Sequence, residues 1–437
     1  MGLKSDDIVS NITVADIRLA ARNLDSVALR TPVQPFRALS DLVDTPVVLK
    51  LENLQRTGSF KIRGAYNRIA HLTSQQRAAG VVAASAGNHA QGVALAAGLL
   101  GTHAVVYMPV DAPLPKVAAT RGYGADVRMV GNTVDESLAA AQDDAARSGR
   151  TFIHPFDHGH VVAGQGTIAL EILEQVPDVG TVVVPLGGGG LAAGIAIALD
   201  ALAPHVKVVA VQAKTAAAFP PSLRAGHPVS TPVGPTMADG IAVGTPGAVT
   251  LDIISRLGVD VRTVSEEWIA RALLAVAERA KSMVEPAGVV GLAEVMEAGC
   301  PGGIDQFDRG IPGTSIAQAG MPGPVVCVLS GGNIDPLLLM RVIQRGMVAA
   351  GRYLQIRVRV SDKPGSLAQL VGTVSQAGGN IVDVQHSRLD MQLAIYDAMV
   401  TLEIETKGHE HCAAIIDAVS QAGFEHLSPR GLAPREG

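Results

Sequence analysis

Along the chain, short runs that are mostly apolar alternate with stretches in which apolar residues recur every three or four positions. Residues 81–84, 104–108, 125–130, 151–154, 181–184 and 206–211 are of the first kind and are predicted strands. Residues 89–100, 115–121, 133–148, 161–176 and 190–202 are of the second kind and are predicted helices. A strand without polar alternation is buried on both faces, and strands joined through helices pair in parallel. The pattern therefore predicts an α/β fold whose ligands sit in the turns at the carboxyl ends of its strands. A loop rich in Gly and Pro is expected over 301–324, then another buried strand over 325–329. After about residue 346 the pattern changes. Residues 353–360 alternate apolar and polar, as a half-buried strand does. A helix over 365–377, strands over 381–389 and 394–404, a helix over 409–421 and a strand over 424–427 follow. The order β-α-β-β-α-β is that of a ferredoxin-like unit. The expected division is thus 1–345, with about 50–150 as a smaller subdomain, and 346–437.

Composition narrows the function. Lys+Arg 35 against Asp+Glu 40 gives a net charge of −5, and aromatics are 3%, so neither a basic stripe nor stacking rings serve nucleic acid. Three scattered cysteines, Cys300, Cys327 and Cys412, fit neither a disulfide framework nor a zinc site. Acidic Asp6 and Asp7 stand where a signal peptide would be apolar. Residues 182–199 lack charge over a bilayer's length, but Pro185 and four consecutive glycines make a strand–turn–helix the better reading. A cytoplasmic protein with no membrane partner is expected. The unusual figure is glycine, 48 of 437 or about 11% where about 7% is usual.

Four motifs carry candidate chemistry. In Thr57-Gly58-Ser59-Phe60-Lys61-Ile62-Arg63-Gly64-Ala65, Ser59 reads as a helix N-cap and Lys61 as a surface charge. Alternatively, apolar Phe60 and Ile62 desolvate the Lys61 amine and lower its pKa toward nucleophilic use. Ser85-Ala86-Gly87-Asn88-His89 joins a predicted strand to a predicted helix. It is either plain turn chemistry or a carboxylate site of helix N-terminal N–H groups, with the Asn88 amide beside them. Gly187-Gly188-Gly189-Gly190-Leu191 follows a buried strand and opens a helix, a nest of N–H donors suited to phosphate. A dinucleotide would need an acid after the next strand, where the sequence has Val211-Gln212-Ala213, so a smaller phosphate-bearing cofactor fits better. Leu329-Ser330-Gly331-Gly332-Asn333 is a further glycine turn after a buried strand.

With Asp239-Gly240-Ile241-Ala242-Val243 and Glu285-Pro286-Ala287-Gly288, these motifs resemble the fold-type II pyridoxal-phosphate enzymes over about residues 10–345. The resemblance is to their threonine/serine dehydratase (threonine ammonia-lyase) branch. It implies two parallel-sheet α/β subdomains, pyridoxal 5'-phosphate as cofactor, and β-elimination of L-threonine to 2-oxobutanoate and ammonia, with L-serine going to pyruvate. It implies that Lys61 carries the cofactor and is the catalytic base, and that Asn88 contacts the phenolic oxygen. Gly187, Gly188, Gly189, Gly190 and Leu191 would hold the phosphate, and Ser330 would face the pyridine nitrogen. Ser85, Ala86, Gly87, Asn88 and His89 would bind the amino-acid substrate. Glu285 stands either near the ring or as a buried structural carboxylate. Residues 346–437 are similar to ACT domains, implying an amino-acid effector near Asp362 to Leu367 and Asn380. A role in isoleucine biosynthesis or threonine catabolism and a homodimer or homotetramer are implied too. No metal site is expected, since Gln212, Ala216 and Ala218 stand where some relatives carry acids. Serine racemases are similar, but they place a serine where this chain has Ala86. A non-catalytic amino-acid sensor on the same fold is the other alternative.

Overall fold

The computed structural model describes residues 11–388 and 394–427; the acidic N-terminal segment and the end of the strand expected over 381–389 lie outside them. The apolar runs become two sheets. One is wholly parallel, in the order β5-β4-β3-β6, from β3 (Val81–Ala84), β4 (Ala104–Met108), β5 (Asp126–Met129) and β6 (Thr151–Phe152). The other runs β1-β2-β10-β7-β8-β9, from β1 (Val33–Pro35), β2 (Val47–Lys50), β7 (Thr181–Pro185), β8 (Lys207–Ala213), β9 (Asp260–Val264) and β10 (Val325–Val328). Its strands are parallel except β1, which pairs antiparallel with β2 at the edge. Every residue of β3, β4, β7 and β10 is buried, as two-sided coverage by helices requires. Boundaries moved by a few residues: 125–130 contracts to Asp126–Met129, because Ala125 and Val130 pass into the turns. Within the expected loop 301–324, a short helix forms over Ile304–Asp308.

Each sheet closes on its own core. Val81, Ala83, Val106 and Met108 pack with Ile62, Ile69 and Val93 around the small sheet. Val182, Val184 and Val326 pack with Ile168, Ala192 and Ile195 around the large one. Each such aliphatic side chain stabilises by roughly 1.5–3 kcal/mol when buried.

Between the sheets, helices meet backbone to backbone. The helix Lys61–Ala70, hereafter the lysine helix, crosses Gly159–Gln175, where a Cβ at Gly164 would stand 2.6 Å from the Arg63 carbonyl oxygen. Gly159–Gln175 meets Gly190–Leu202 in the same way, a Cβ at Gly166 lying 2.7 Å from the Gly194 carbonyl. On its other side the lysine helix meets Asn88–Leu99 at Gly92, where a Cβ would stand 3.1 Å from the Lys61 carbonyl carbon. A good share of the glycine excess therefore lies inside helices rather than in turns.

The chain divides into two compact units, Met1–Leu339 and Met340–Gly437. The second holds an antiparallel sheet in the order β12-β13-β11-β14, built of β11 (Tyr353–Ser361), β12 (Asn380–Ser387), β13 (Asp397–Glu405) and β14 (Glu425–Leu427). The helices Ser366–Gln376 and His409–Gln421 complete the ferredoxin-like order, over a core of Ile356, Val358, Leu370, Val400, Leu402 and Ile415.

Candidate active site

Lys61 opens the lysine helix, but Ser59 is not its cap. The N-cap is Phe60, itself helical in φ and ψ, with no side-chain capping bond. Ser59 is instead drawn into a bridge with Gly331, in which Phe60 N–H donates to the Ser330 carbonyl at 3.1 Å and Gly332 N–H to the Gly58 carbonyl at 2.8 Å. That bridge buries the Ser59 hydroxyl without a hydrogen-bond partner beside the lysine. Lys61 Nζ donates to the Pro155 carbonyl at 3.1 Å and sits 5.2 Å from the centre of the Phe60 ring. Ile62 points the other way, into the small-sheet core. Burial pulls the Lys61 pKa down to about 8, against the attraction of the Glu285 carboxylate.

Two residues on from Lys61, Arg63 is fully buried in an ionic network. It donates to both Glu52 oxygens at 2.9 and 2.7 Å, to Glu171 Oε1 at 2.7 Å, to the Thr167 hydroxyl at 3.2 Å and to the Leu29 carbonyl at 3.1 Å. The same Glu171 takes Lys50 Nζ on its other oxygen at 2.6 Å. This network fixes the first turn of the lysine helix to β2 and to Gly159–Gln175.

The Ser85–His89 turn joins β3 to the helix Asn88–Leu99, with Gly87 as N-cap. Gly87 N–H donates to the Ser85 hydroxyl at 3.1 Å, and no atom lies within 4 Å of where a Cβ on Gly87 would stand. The backbone there is open to a ligand. His89 turns away: its Nε2 donates to the Ile153 carbonyl at 2.8 Å, and burial pushes the ring's pKa down to about 3, so it is neutral and structural. From this motif the backbone and the Asn88 amide remain for binding. Asn88 Nδ2 donates to Glu285 Oε1 at 2.6 Å, and its Oδ1 accepts from Asn333 Nδ2 at 2.8 Å.

Gly187–Gly190 forms the turn from β7 into Gly190–Leu202. Gly189 has φ +99°, where a Cβ would lie 2.7 Å from Thr250, and a Cβ on Gly188 would collide with the Phe156 ring. Among the described residues, no protein acceptor lies against the N–H groups of Gly188, Gly189, Gly190 and Leu191. The Gly188 carbonyl is engaged by the Thr250 hydroxyl at 2.7 Å. Unpaired donors at a helix N-terminus with no Cβ in the way suit a phosphate. Together with the buried amine and the orphaned Ser59 hydroxyl, they fit pyridoxal phosphate.

A segment that local patterns did not mark ties lysine to loop. In His154-Pro155-Phe156-Asp157, Pro155 holds the Lys61 amine and Phe156 backs Gly188. Asp157 caps the helix Ala248–Arg256 through the N–H groups of Ala248, Val249 and Thr250, at 3.0, 3.0 and 3.2 Å. His154 Nδ1 accepts from Asp157 N–H at 2.7 Å, and burial lowers its pKa to about 4, so the acceptor is present at neutral pH. The Pro and the polar turn after a strand were the only hints. At the end of β8, Gln212 bridges its own turn, donating to the Ala216 carbonyl at 3.3 Å and accepting from Phe219 N–H at 3.0 Å.

Comparison with known proteins agrees with this geometry. Residues 25–307 match the family model described as pyridoxal-phosphate dependent enzyme. The chain belongs to that family, and its cofactor is pyridoxal phosphate. It is similar to the L-threonine ammonia-lyase of Thermotoga maritima, 44% identical over 95% of this chain and 98% of that one. A protein of the same name from Geobacter sulfurreducens is 44% identical over 94% and 97%. Among solved structures, the processed threonine deaminase isoform 2 of Solanum lycopersicum superposes with TM-score 0.68, 32% identity, and 79% and 93% coverage. Maize serine racemase superposes with TM-score 0.68, 32% identity, and 77% and 98% coverage.

Proposed function

We propose that the protein is an L-threonine ammonia-lyase, converting L-threonine to 2-oxobutanoate and ammonia and accepting L-serine as a second substrate. The observation that carries the reading is the Lys61 amine, desolvated to a pKa of about 8 and tied through Pro155–Asp157 to the glycine loop. Bound pyridoxal phosphate supplies an electron sink that acidifies the substrate Cα–H and so labilises the β-hydroxyl. Lys61 anchors that group and, once released, takes the Cα proton on Nζ; a pKa of about 8 leaves it a usable base near neutral pH. The N–H groups of Gly187 to Leu191 would hold the phosphate, and the Ser85–Asn88 turn would take the substrate carboxylate. Ser330, buried just beyond β10, would offer a neutral hydroxyl to the ring nitrogen. Unlike an aspartate, it would not keep that nitrogen protonated, which would favour elimination over transamination. Water leaves Cβ and a second water releases ammonia, so the net change is threonine to 2-oxobutanoate plus ammonia.

The maize neighbour makes serine racemisation the second reading. Ala86 argues against it, because a methyl group supplies no proton to the opposite face. The test has two arms. Borohydride reduction of the holoenzyme followed by peptide mapping is expected to label Lys61. Steady-state assays on L-threonine and L-serine, with chiral analysis of the serine, are expected to yield 2-oxo acids and no D-serine. A label elsewhere, or D-serine without 2-oxo acid, refutes the reading.

The second unit is read as an ACT-like effector domain. Asp362, paired with Arg388 at 2.6 Å, and Gly365, the N-cap of Ser366–Gln376, frame the turn expected to take an amino acid. Kinetics with isoleucine or valine should then change. Free cysteines, two of them buried, fit a reducing cytoplasm, and light scattering is expected to show a homodimer or homotetramer.

A further inference from the structure

The Asn88 amide is held at both ends. Exchanging its oxygen and nitrogen would set oxygen against the Glu285 carboxylate and nitrogen against the Asn333 N–H, so its orientation is fixed. Asn333 is anchored in turn, its Nδ2 also donating to the Thr57 carbonyl at 2.7 Å, in the turn that carries Lys61. Two glycines make room for these partners. A Cβ on Gly331 would collide with Glu285 Oε1, and one on Gly58, at φ +71°, with Asn333 Oδ1. Glycines in two separate motifs are thus shaped to the clamp. Glu285 also starts the helix Pro286–Gly299, yet its side chain makes no capping bond there. Its carboxyl is buried without an ion pair among the described residues, an arrangement that costs stability and calls for another role.

We propose that Glu285 and Asn333 are positioning residues for Asn88, clamping its amide so that one N–H is left for a ligand oxygen, with the charge on Glu285 setting how that oxygen is stabilised. The proposal rests on the reading of Asn88 as the group that meets the cofactor's ring oxygen. Asn88 donates to Glu285 whether the carboxyl is ionised or neutral, so protonation changes the charge without dismantling the clamp. An ionised Glu285 opposes negative charge on a neighbouring oxygen, and a neutral one does not. The charged groups facing Glu285 are Lys61, Lys116 and Asp239. Burial first, then Asp239, raises its pKa to about 7, against the Asn88 hydrogen bond and the two lysines, so the change falls in the working range.

The experiment follows the visible absorbance of the holoenzyme, and its cofactor Kd, across neutral pH for wild type, E285Q, E285D and N88A. Wild type is expected to show a spectral step near pH 7. E285Q should lose that step while its cofactor Kd stays within about tenfold of wild type. E285D, which keeps a titrating carboxyl, should keep a step. N88A should shift the band at all pH values and weaken cofactor binding by more than about tenfold. A step that persists unchanged in E285Q, or a folded E285D that loses it, overturns the proposal. An N88A protein with wild-type spectrum and affinity overturns instead the assignment of Asn88 on which it rests.

Discussion

Replacing Arg63 with methionine tests how the lysine helix is held. Methionine fills much of the volume but leaves Glu52, fully buried, with the Thr31 hydroxyl at 2.6 Å as its remaining side-chain donor. Removing one partner of a buried ion pair costs about 3–5 kcal/mol, because the other charge stays behind uncompensated. For the 339 residues of the first unit, an unfolding entropy of about 2.1 cal/mol/K per residue gives about 0.7 kcal/mol per degree. The expected fall in Tm is therefore about 4–7 °C. Trp268, the one tryptophan in the sequence, lies buried in that unit and reports the transition by fluorescence. R63M/E52Q should recover part of the loss, since it removes the stranded charge along with its partner. The pH dependence has a definite sign. Burial alone would raise the Glu52 pKa, but Arg63 outweighs it and holds the carboxyl below its ordinary 4.5. The pair's contribution is thus present above that value and is lost as pH falls through the lower, folded one. Acid should therefore destabilise wild type more steeply than R63M/E52Q. A loss under about 1 kcal/mol in R63M, with no recovery in the double variant, refutes the reasoning.

Two further outcomes are expected. G188A places a methyl group against the Phe156 ring and should weaken cofactor binding by at least about tenfold, read by spectroscopic titration; wild-type affinity would sink the phosphate assignment. In the apoenzyme, modification of Lys61 by an amine reagent, followed by peptide mass spectrometry, should rise through pH 8, since burial favours the neutral amine; a midpoint near 10.5 contradicts the desolvation.

The strands and the turns after them were legible because the signal is local. An apolar run followed by glycines marks a strand end, and Gly187–Leu191, Ser85–Asn88 and Ser330–Asn333 all lie there. What joins these turns was not legible. Pro155 meets Lys61, Thr250 meets Gly188 and Asn333 meets Asn88 across separations of 94, 62 and 245 residues, which no window of the sequence samples. The destination of the His89 ring was not legible either: folding spends it on the Ile153 carbonyl, 64 residues away. Ser59 shows the same limit. Its sequence context is that of a helix cap, and only the bridge to Gly331, far along the chain, draws it elsewhere. Interior helix glycines such as Gly164 carry no turn signal at all, so their packing role was hidden by propensity, which disfavours them.

Those helix glycines set a limit on how the protein can change. Cores built of side chains absorb substitution by exchanging rotamers, and the spacing between elements drifts slightly with each exchange. Where the Arg63 carbonyl rests against Gly164, and the Lys61 carbonyl carbon against Gly92, there is no rotamer to exchange. The lysine helix is located by a hard stop on the Gly164 side and a close approach on the Gly92 side. Leucines and valines of the surrounding core can be redrawn, by evolution or by design, without moving the Lys61 amine. An added methyl at Gly164 becomes a displacement of that amine, so tolerance to mutation should change abruptly at this position.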